Sequence, residues 1–359
     1  MAWETLKETL MAETASLFDK NASPEHCSDL HVLSTALFAR FAAEDLRKRS
    51  SDNLYGMSYG LRRFMQSWDG TSPKVRILNP NIASHGWESK ATVLVALCRD
   101  LPFCTASVRG EINQRGIAIH CLASCNLEAR RDEQGELLQL GNVTEEDPQR
   151  SEESLLYFEL ARHSELQELT ELRQTIEEIL GDVEVVVDDF AEMRQRLEEV
   201  HAMVTESTMI DEDYRSEAAA FLAWLRTDHM TFLGYEYLRV KDGDATSKPG
   251  LSLGVLRNRD TRGEADLEDE LRSLPKAELC RRQLSFAKSR RRARVHRQVY
   301  PDYIEIKEYD QAGLVQGQHR FLGLFTADVY GLDPTHIPIV RKKVAQVLSQ
   351  SGLSAHEHD

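Results

Sequence analysis

The sequence predicts an α+β protein with two unlike sheets joined by helices, and three observations carry that. Apolar residues recur at helical spacing through residues 1–70. From residue 73 the period becomes that of strands, and the order β, α, β, β, α follows within about 90 residues, the arrangement of a split βαβ, ferredoxin-like sheet. Later, two strands, a helical excursion and three antiparallel strands succeed one another, the order of a PAS-type sensor sheet.

The helical opening has its own punctuation. Ser23-Pro24-Glu25 is a cap followed by proline in the first turn, and Leu30, Leu33, Leu37, Phe38 and Phe41 then recur on one face. After RKRSSDN, the residues Leu54, Met57, Leu61, Phe64, Met65 and Trp68 form a second stripe, stopped by Asp69-Gly70. KVRILNP and SKATVLVALCRD read as strands. A helix from Pro102 to Arg115 is ended by Gly116, which tolerates the left-handed stop. IAIHCLASCNLEARRD is a long strand, DEQG a turn, GELLQLG a hairpin partner and SLLYFELAR the next strand. Leu166, Leu169, Leu172, Ile176 and Ile179 mark a helix. VEVVVDDF suits a strand by its valines, but the stripe Val183, Val187, Phe190, Met193 and Leu197 carries the helix on towards residue 204.

TESTMIDEDYRS is a polar hinge, followed by a helix, EAAAFLAWLRTD, and a strand, MTFLGYEYLRV. A loop rich in Gly, Asp, Ser and Lys leads to a strand at LSLGVLR, and residues 262–282 read as short helices. LSFAKS, VHRQ, DYIEIKEYD and LVQGQHRFLGLFTADVY supply the remaining strands, with Asp310–Gly313 turning between the last two. Pro338 opens a final helix. The expected segments are 1–72 (helical), 73–204 (βαββα with linking helices) and 205–359 (the second sheet with a C-terminal helix).

A formal charge of −15 argues against attraction to nucleic acid or anionic lipid, and no apolar run reaches the length of a membrane span. The acidic N-terminus is not that of a signal peptide, so a cytoplasmic location is expected. Six cysteines form no C-x-x-C pair; Cys121 and Cys125, four apart on a strand, stand roughly 13 Å from one another, beyond the reach of one metal. Reduced, buried or half-buried thiols are expected. No histidine is read as pairing with Cys, Asp or Glu at ligand spacing, HEHD is read as a frayed end, and no metal site is expected. GxGxxG after a strand, GxxxxGK[ST], GxSxG and HExxH are all missing, so no catalytic or cofactor-binding residue is assigned to this chain.

One stretch has the makings of a binding site. RDLPFCTASVRG takes a strand into a helix, whose first N–H groups have no partner within it. Asp100, Leu101, Phe103, Cys104, Thr105, Ser107 and Arg109 are the candidate residues for an amino-acid or anionic effector, the α-carboxylate meeting the N–H groups and hydroxyls and Arg109 facing the side of Thr105. The competing reading is that Asp100 or Thr105 merely caps the helix and Arg109 pairs with a surface acid. A basic run, KSRRRARVHR, places Lys288, Arg290, Arg292, Arg294 and His296 on one face if it is a strand. In so acidic a chain it calls for carboxylate neighbours, or else a bound anion.

DNLYGMSYGLRRFMQSW, VRILNPN followed by HGW, DLPFCTASVRGEINQRG, DHMTFLGYEYL, VHRQVYPDYIEIKEYD, HRFLGLFTADVY, IPIVRKKVAQVLSQSGL and the closing HD together resemble one family, in order and over nearly the whole chain. It is the large NAD-specific glutamate dehydrogenase of bacteria, and the resemblance is to its N-terminal region. It implies an ACT-like domain at 73–204, a PAS-like domain at 205–359, and a regulatory or assembly role within a homo-oligomer. In the family, NAD and glutamate oxidation belong to a downstream domain, so this chain is expected to hold no cofactor and to work with the remainder of the same enzyme. Cys104, Thr105 and Ala106 depart from the acidic residue and hydrophobic pair usual in the family, so its effector contacts are not carried over. A purely structural subunit-assembly module is the alternative.

Overall fold

A computed structural model describes residues 2–241, 244–257, 278 and 282–351. The chain divides into two units, 1–184 with Arg294–Gln298, and 185–293 with 299–359; the division falls inside a helix, where the sequence reading expects three segments.

In the first unit, α1 (Ala2–Asn21), α2 (Pro24–Phe38), α3 (Ala43–Leu46) and α4 (Ser51–Met65) precede β1 (Lys74–Leu78), α5 (Ile82–His85) and β2 (Thr92–Arg99). α6 (Cys104–Gln114), β3 (Ile119–Arg131), β4 (Leu137–Leu140), β5 (Arg150–Leu160) and α7 (Leu166–Asp188) come next. Pro24 does occupy the first turn of α2, but the Ser23 side chain makes no capping bond. The sheet runs β1-β2-β5-β3-β4 with every neighbour antiparallel. β2 and β3 are therefore parallel with β5 between them, the split βαβ order, and β1 occupies the edge beside β2.

Strand alternation gives this sheet two buried faces. Val93, Val95, Leu97, Cys121, Ala123, Cys125, Leu127, Leu155 and Tyr157 share a core with Leu33, Leu37, Leu54, Met57, Leu61 and Met65 of α2 and α4. The N-terminal helices and the sheet are thus one body. The alternate residues Leu94, Ala96 and Cys98 are also buried, and Cys98 contacts Cys104 of α6. Three buried ion pairs fix the layers: Arg62 Nε donates to Asp29 Oδ2 at 3.0 Å, Arg131 Nε to Glu153 Oε1 at 2.7 Å, and Arg49 Nη2 to Glu159 Oε1 at 2.6 Å.

The second unit contains α8 (Phe190–Glu206), α9 (Glu212–Trp224), β6 (Met230–Lys241), β7 (Asp244–Gly254), β8 (Leu284–Lys288), β9 (Asp302–Tyr309), β10 (Val315–Phe325) and α10 (Val340–Ser351). Its antiparallel sheet runs β7-β6-β10-β9-β8, so the five strands in chain order lie 2-1-5-4-3. One face packs Phe232, Tyr235, Ile304, Ile306 and Phe321 against Met193, Leu197, Val200, Phe221 and Leu222 of α8 and α9. The other face is charged yet buried. Arg320, fully enclosed, donates to Glu236 Oε1 at 2.6 Å and to Glu305 Oε1 at 3.2 Å, and its guanidinium lies 4.1 Å from the centre of the Tyr303 ring.

Four expectations are corrected. VEVVVDDF is helical, as the stripe implies, but the long helix is broken at Asp189 between α7 and α8. α9 begins at Glu212, inside the supposed hinge, because Asp211 caps it by accepting from the Asp213 and Tyr214 N–H groups. Much of the polar loop before Leu251 is strand β7, pairing with β6 despite its composition. Finally, β8 ends at Lys288 and VHRQ is not a strand: His296 takes φ +68°, which no ladder accommodates. The basic side chains therefore do not alternate on one sheet face. The short helices expected at 262–282 fall, but for residues 278 and 282, outside the described residues, and so does HEHD.

Candidate functional site

The turn between β2 and α6 is the candidate that the sequence offers, and three of its residues, Asp100, Phe103 and Ser107, meet other parts of the first unit. Asp100 does not cap the helix. Its carboxylate accepts from Asn126 Nδ2 at 2.8 Å and Ser154 Oγ at 3.0 Å, which bind it to β3 and β5. The residue ahead of α6 is Phe103, in the left-handed region at φ +74°, so the helix starts at Cys104 and not at Pro102 as expected. A non-glycine residue is held there only when its surroundings over-determine it.

Those surroundings come from Arg294–Gln298, about 190 residues along the chain and part of the same unit. The His296 ring lies 4.7 Å from the Phe103 ring, and the His296 N–H donates to Ser107 Oγ at 2.9 Å. Arg294 Nη2 donates to Thr175 O at 3.2 Å and to Glu178 Oε2 at 3.0 Å, on α7. Burial, with Arg297 alongside, lowers the His296 pKa. Of the seven candidate residues, Phe103 and Ser107 thus meet this segment, and Asp100 serves the sheet. Cys104 is buried, Leu101 and Thr105 are half-buried, and Arg109 is exposed. The contact between the turn and His296 has no local sequence signal; the basic run was visible, but its partners were not.

The thiols nearby are buried. Cys98 is pushed well up by its hydrogen bond with Cys104 and by burial, while the same bond and the Leu101 N–H lower Cys104. Burial pushes Cys121 and Cys125 up to about 12, so both stay protonated and poorly nucleophilic. One donor cluster escaped the sequence reading. Cys27 and His31 stand four apart on α2, hence on one face, and Asp19 of α1 joins them, one ligand atom of each lying within 4.8 Å of the others. In the described structure His31 Nε2 and Asp19 Oδ1 are hydrogen-bonded at 2.8 Å.

Comparison with known proteins gives the context. A family described as "Glutamate dehydrogenase, ACT1 domain" matches residues 33–176, which hold α4, the whole first sheet and the turn. The chain is 34% identical over its whole length to an NAD-specific glutamate dehydrogenase of Halomonas elongata and 34% identical over 94% of its length to one of Pseudomonas aeruginosa. An NAD-specific glutamate dehydrogenase of Mycobacterium tuberculosis is 25% identical over 68% of the chain. The chain spans 23%, 22% and 14% of the lengths of these relatives. No described helix is long and apolar enough to cross a membrane.

Proposed function

Since the chain belongs to the NAD-specific glutamate dehydrogenase family, as its N-terminal part with an ACT domain, we propose that it is a regulatory and assembly region which biases turnover in the enzyme without performing it. The ACT match over a split βαβ sheet carries this reading. The second sheet, whose strand order 2-1-5-4-3 is that of a PAS-type sensor, supports it. The enzyme's reaction, oxidative deamination of L-glutamate to 2-oxoglutarate and ammonia with NAD, is assigned to segments outside this chain. A homo-oligomeric, cytoplasmic enzyme is the setting we infer.

Within that role, the β2–α6 turn is the proposed effector site for an amino acid. An effector there would engage Ser107 and the first N–H groups of α6 in competition with the Arg294–Gln298 segment, and differential affinity for the two states of that segment would supply the regulation. Titration calorimetry with glutamate, aspartate, arginine and branched-chain amino acids tests this. Saturable heat, lost in Ser107→Ala, is expected. Silence across the panel leaves assembly alone.

The assembly reading has its own observation. β4 pairs only with Ala129–Arg131 and the Gly141 N–H reaches the Glu128 carbonyl, so Ile119–Leu127 of β3 has no strand on its outer edge among the described residues. An open edge of that length is a template for another chain. Solution mass measurement would then give an oligomer that is indifferent to amino acids.

A further inference from the structure

Three segments singled out by the sequence, YGMSYGLRRF, VRILNPN and HGW, converge in the first unit. Gly56 and Gly60 are one turn apart on α4, where a side chain would collide. A Cβ on Gly56 would lie 2.2 Å from the Gly86 carbonyl oxygen, and one on Gly60 would lie 2.9 Å from Trp87 Nε1. The two glycines let the HGW turn press against the helix, and a cavity of about 310 Å³ opens alongside.

Its lining is cationic. Arg63 comes from α4 and Arg76 from β1, on the β1 face whose Lys74 is anchored to the Phe64 and Ser67 carbonyls of the α4 end. Ser84 and His85 come from α5, and Trp87 closes the floor. His85 Nδ1 accepts the Asn81 N–H at 3.2 Å, so the neutral ring carries its proton on Nε2, a donor. No carboxylate lines the cavity, and neither Arg63 nor Arg76 forms an ion pair among the described residues. The largely buried Arg49, Arg62, Arg131 and Arg320 are matched by acids; the exposed Arg63 and Arg76 instead bring two unpaired guanidiniums to one cavity. The rest of the lining includes the apolar Leu61, Phe64 and Leu78.

We propose that this cavity binds a small dicarboxylate. Each guanidinium receives one carboxylate through paired N–H donors. His85 and Ser84 add donors to the same anion, and the aliphatic spacer lies on the leucine and phenylalanine walls. The volume exceeds what inorganic phosphate fills, and two separate cations favour two separate anionic ends over one. The bound anion would bridge α4 and β1 and stabilise the first unit by mass action. The proposal does not depend on the β2–α6 turn.

Calorimetry on the 359-residue chain with glutarate, 2-oxoglutarate and L-glutamate, against butyrate and inorganic phosphate, tests it. At least one dicarboxylate is expected to saturate, to shift the Trp87 indole N–H resonance, and to bind at least tenfold more weakly to Arg63→Gln and to Arg76→Gln. Both arginines are exposed, so these variants should keep the wild-type circular dichroism and melting temperature. Arg290→Gln, an exposed arginine outside both the cavity and the turn, is expected to bind as wild type. The proposal fails if no dicarboxylate saturates, if butyrate or phosphate binds as tightly, if both cavity variants bind normally, or if Arg290→Gln alone abolishes binding.

Discussion

Single residues decide more in this chain than its ordinary composition suggests. Arg320 is enclosed between Glu236 and Glu305 over the Tyr303 ring, so removing it strands two buried carboxylates. Arg320→Met should destabilise the second unit by about 3–5 kcal/mol in denaturant melts, the cost of breaking rather than replacing a buried pair. His319 sits one position away on the opposite, apolar face, with Nδ1 2.9 Å from Tyr235 Oη. Burial lowers its pKa to about 4 from 6.5, opposed by Glu308. The unfolded chain therefore takes up a proton that the folded chain refuses. Stability from this group is complete above pH 6.5 and is lost as pH falls towards 4, by about 3 kcal/mol in all. Denaturant midpoints across that window should fall less steeply in His319→Gln than in wild type. Gly56→Ala drives a methyl into the Gly86 carbonyl and should cost about 1–3 kcal/mol as overpacking.

At the scale of elements, the basic run shows why a pattern can be seen and still be misread. Alternating cations from Lys288 to His296 look like one strand face, and β8 does begin that way. Lys288 pairs with Asp302 across β9, and the ladder then ends. Beyond it, the chain is held by partners remote in sequence: Arg294 on Glu178, and His296 on Phe103 and Ser107. Ser107→Ala removes the acceptor for the His296 N–H and should cost about 1 kcal/mol. Hydrogen exchange should then quicken at 294–298 while β8 and β9 keep their protection. The break between α7 and α8 has a comparable origin. Asp189 accepts the Gly254 N–H and pairs with Arg257, and a tertiary bond of that kind leaves no trace in local helical periodicity.

At the scale of the whole molecule, the two sheets are antiparallel throughout, and neither is the parallel, doubly wound sheet on which a dinucleotide fold is built. On our reading, the chain alone should form no NADH from L-glutamate and NAD, measured by absorbance at any enzyme concentration; turnover by the purified chain would overturn the regulatory assignment.

Local chemistry was enough to determine the class of fold and the order of nearly every strand and helix, while the family was legible only as a resemblance of whole motifs. Helical and strand periods, proline at helix starts and glycine at turns act within a few residues of one another. Of the candidate sites, the sequence located the β2–α6 turn and the basic run as separate features. Only the tertiary structure brought Ser107 to His296 and Cys27 and His31 to Asp19, and gathered Arg63, Arg76 and His85 around one cavity. Such meetings depend on which helix face packs on which sheet face. That choice minimises exposed apolar area and unpaired charge over the whole unit, and no short window of sequence contains it.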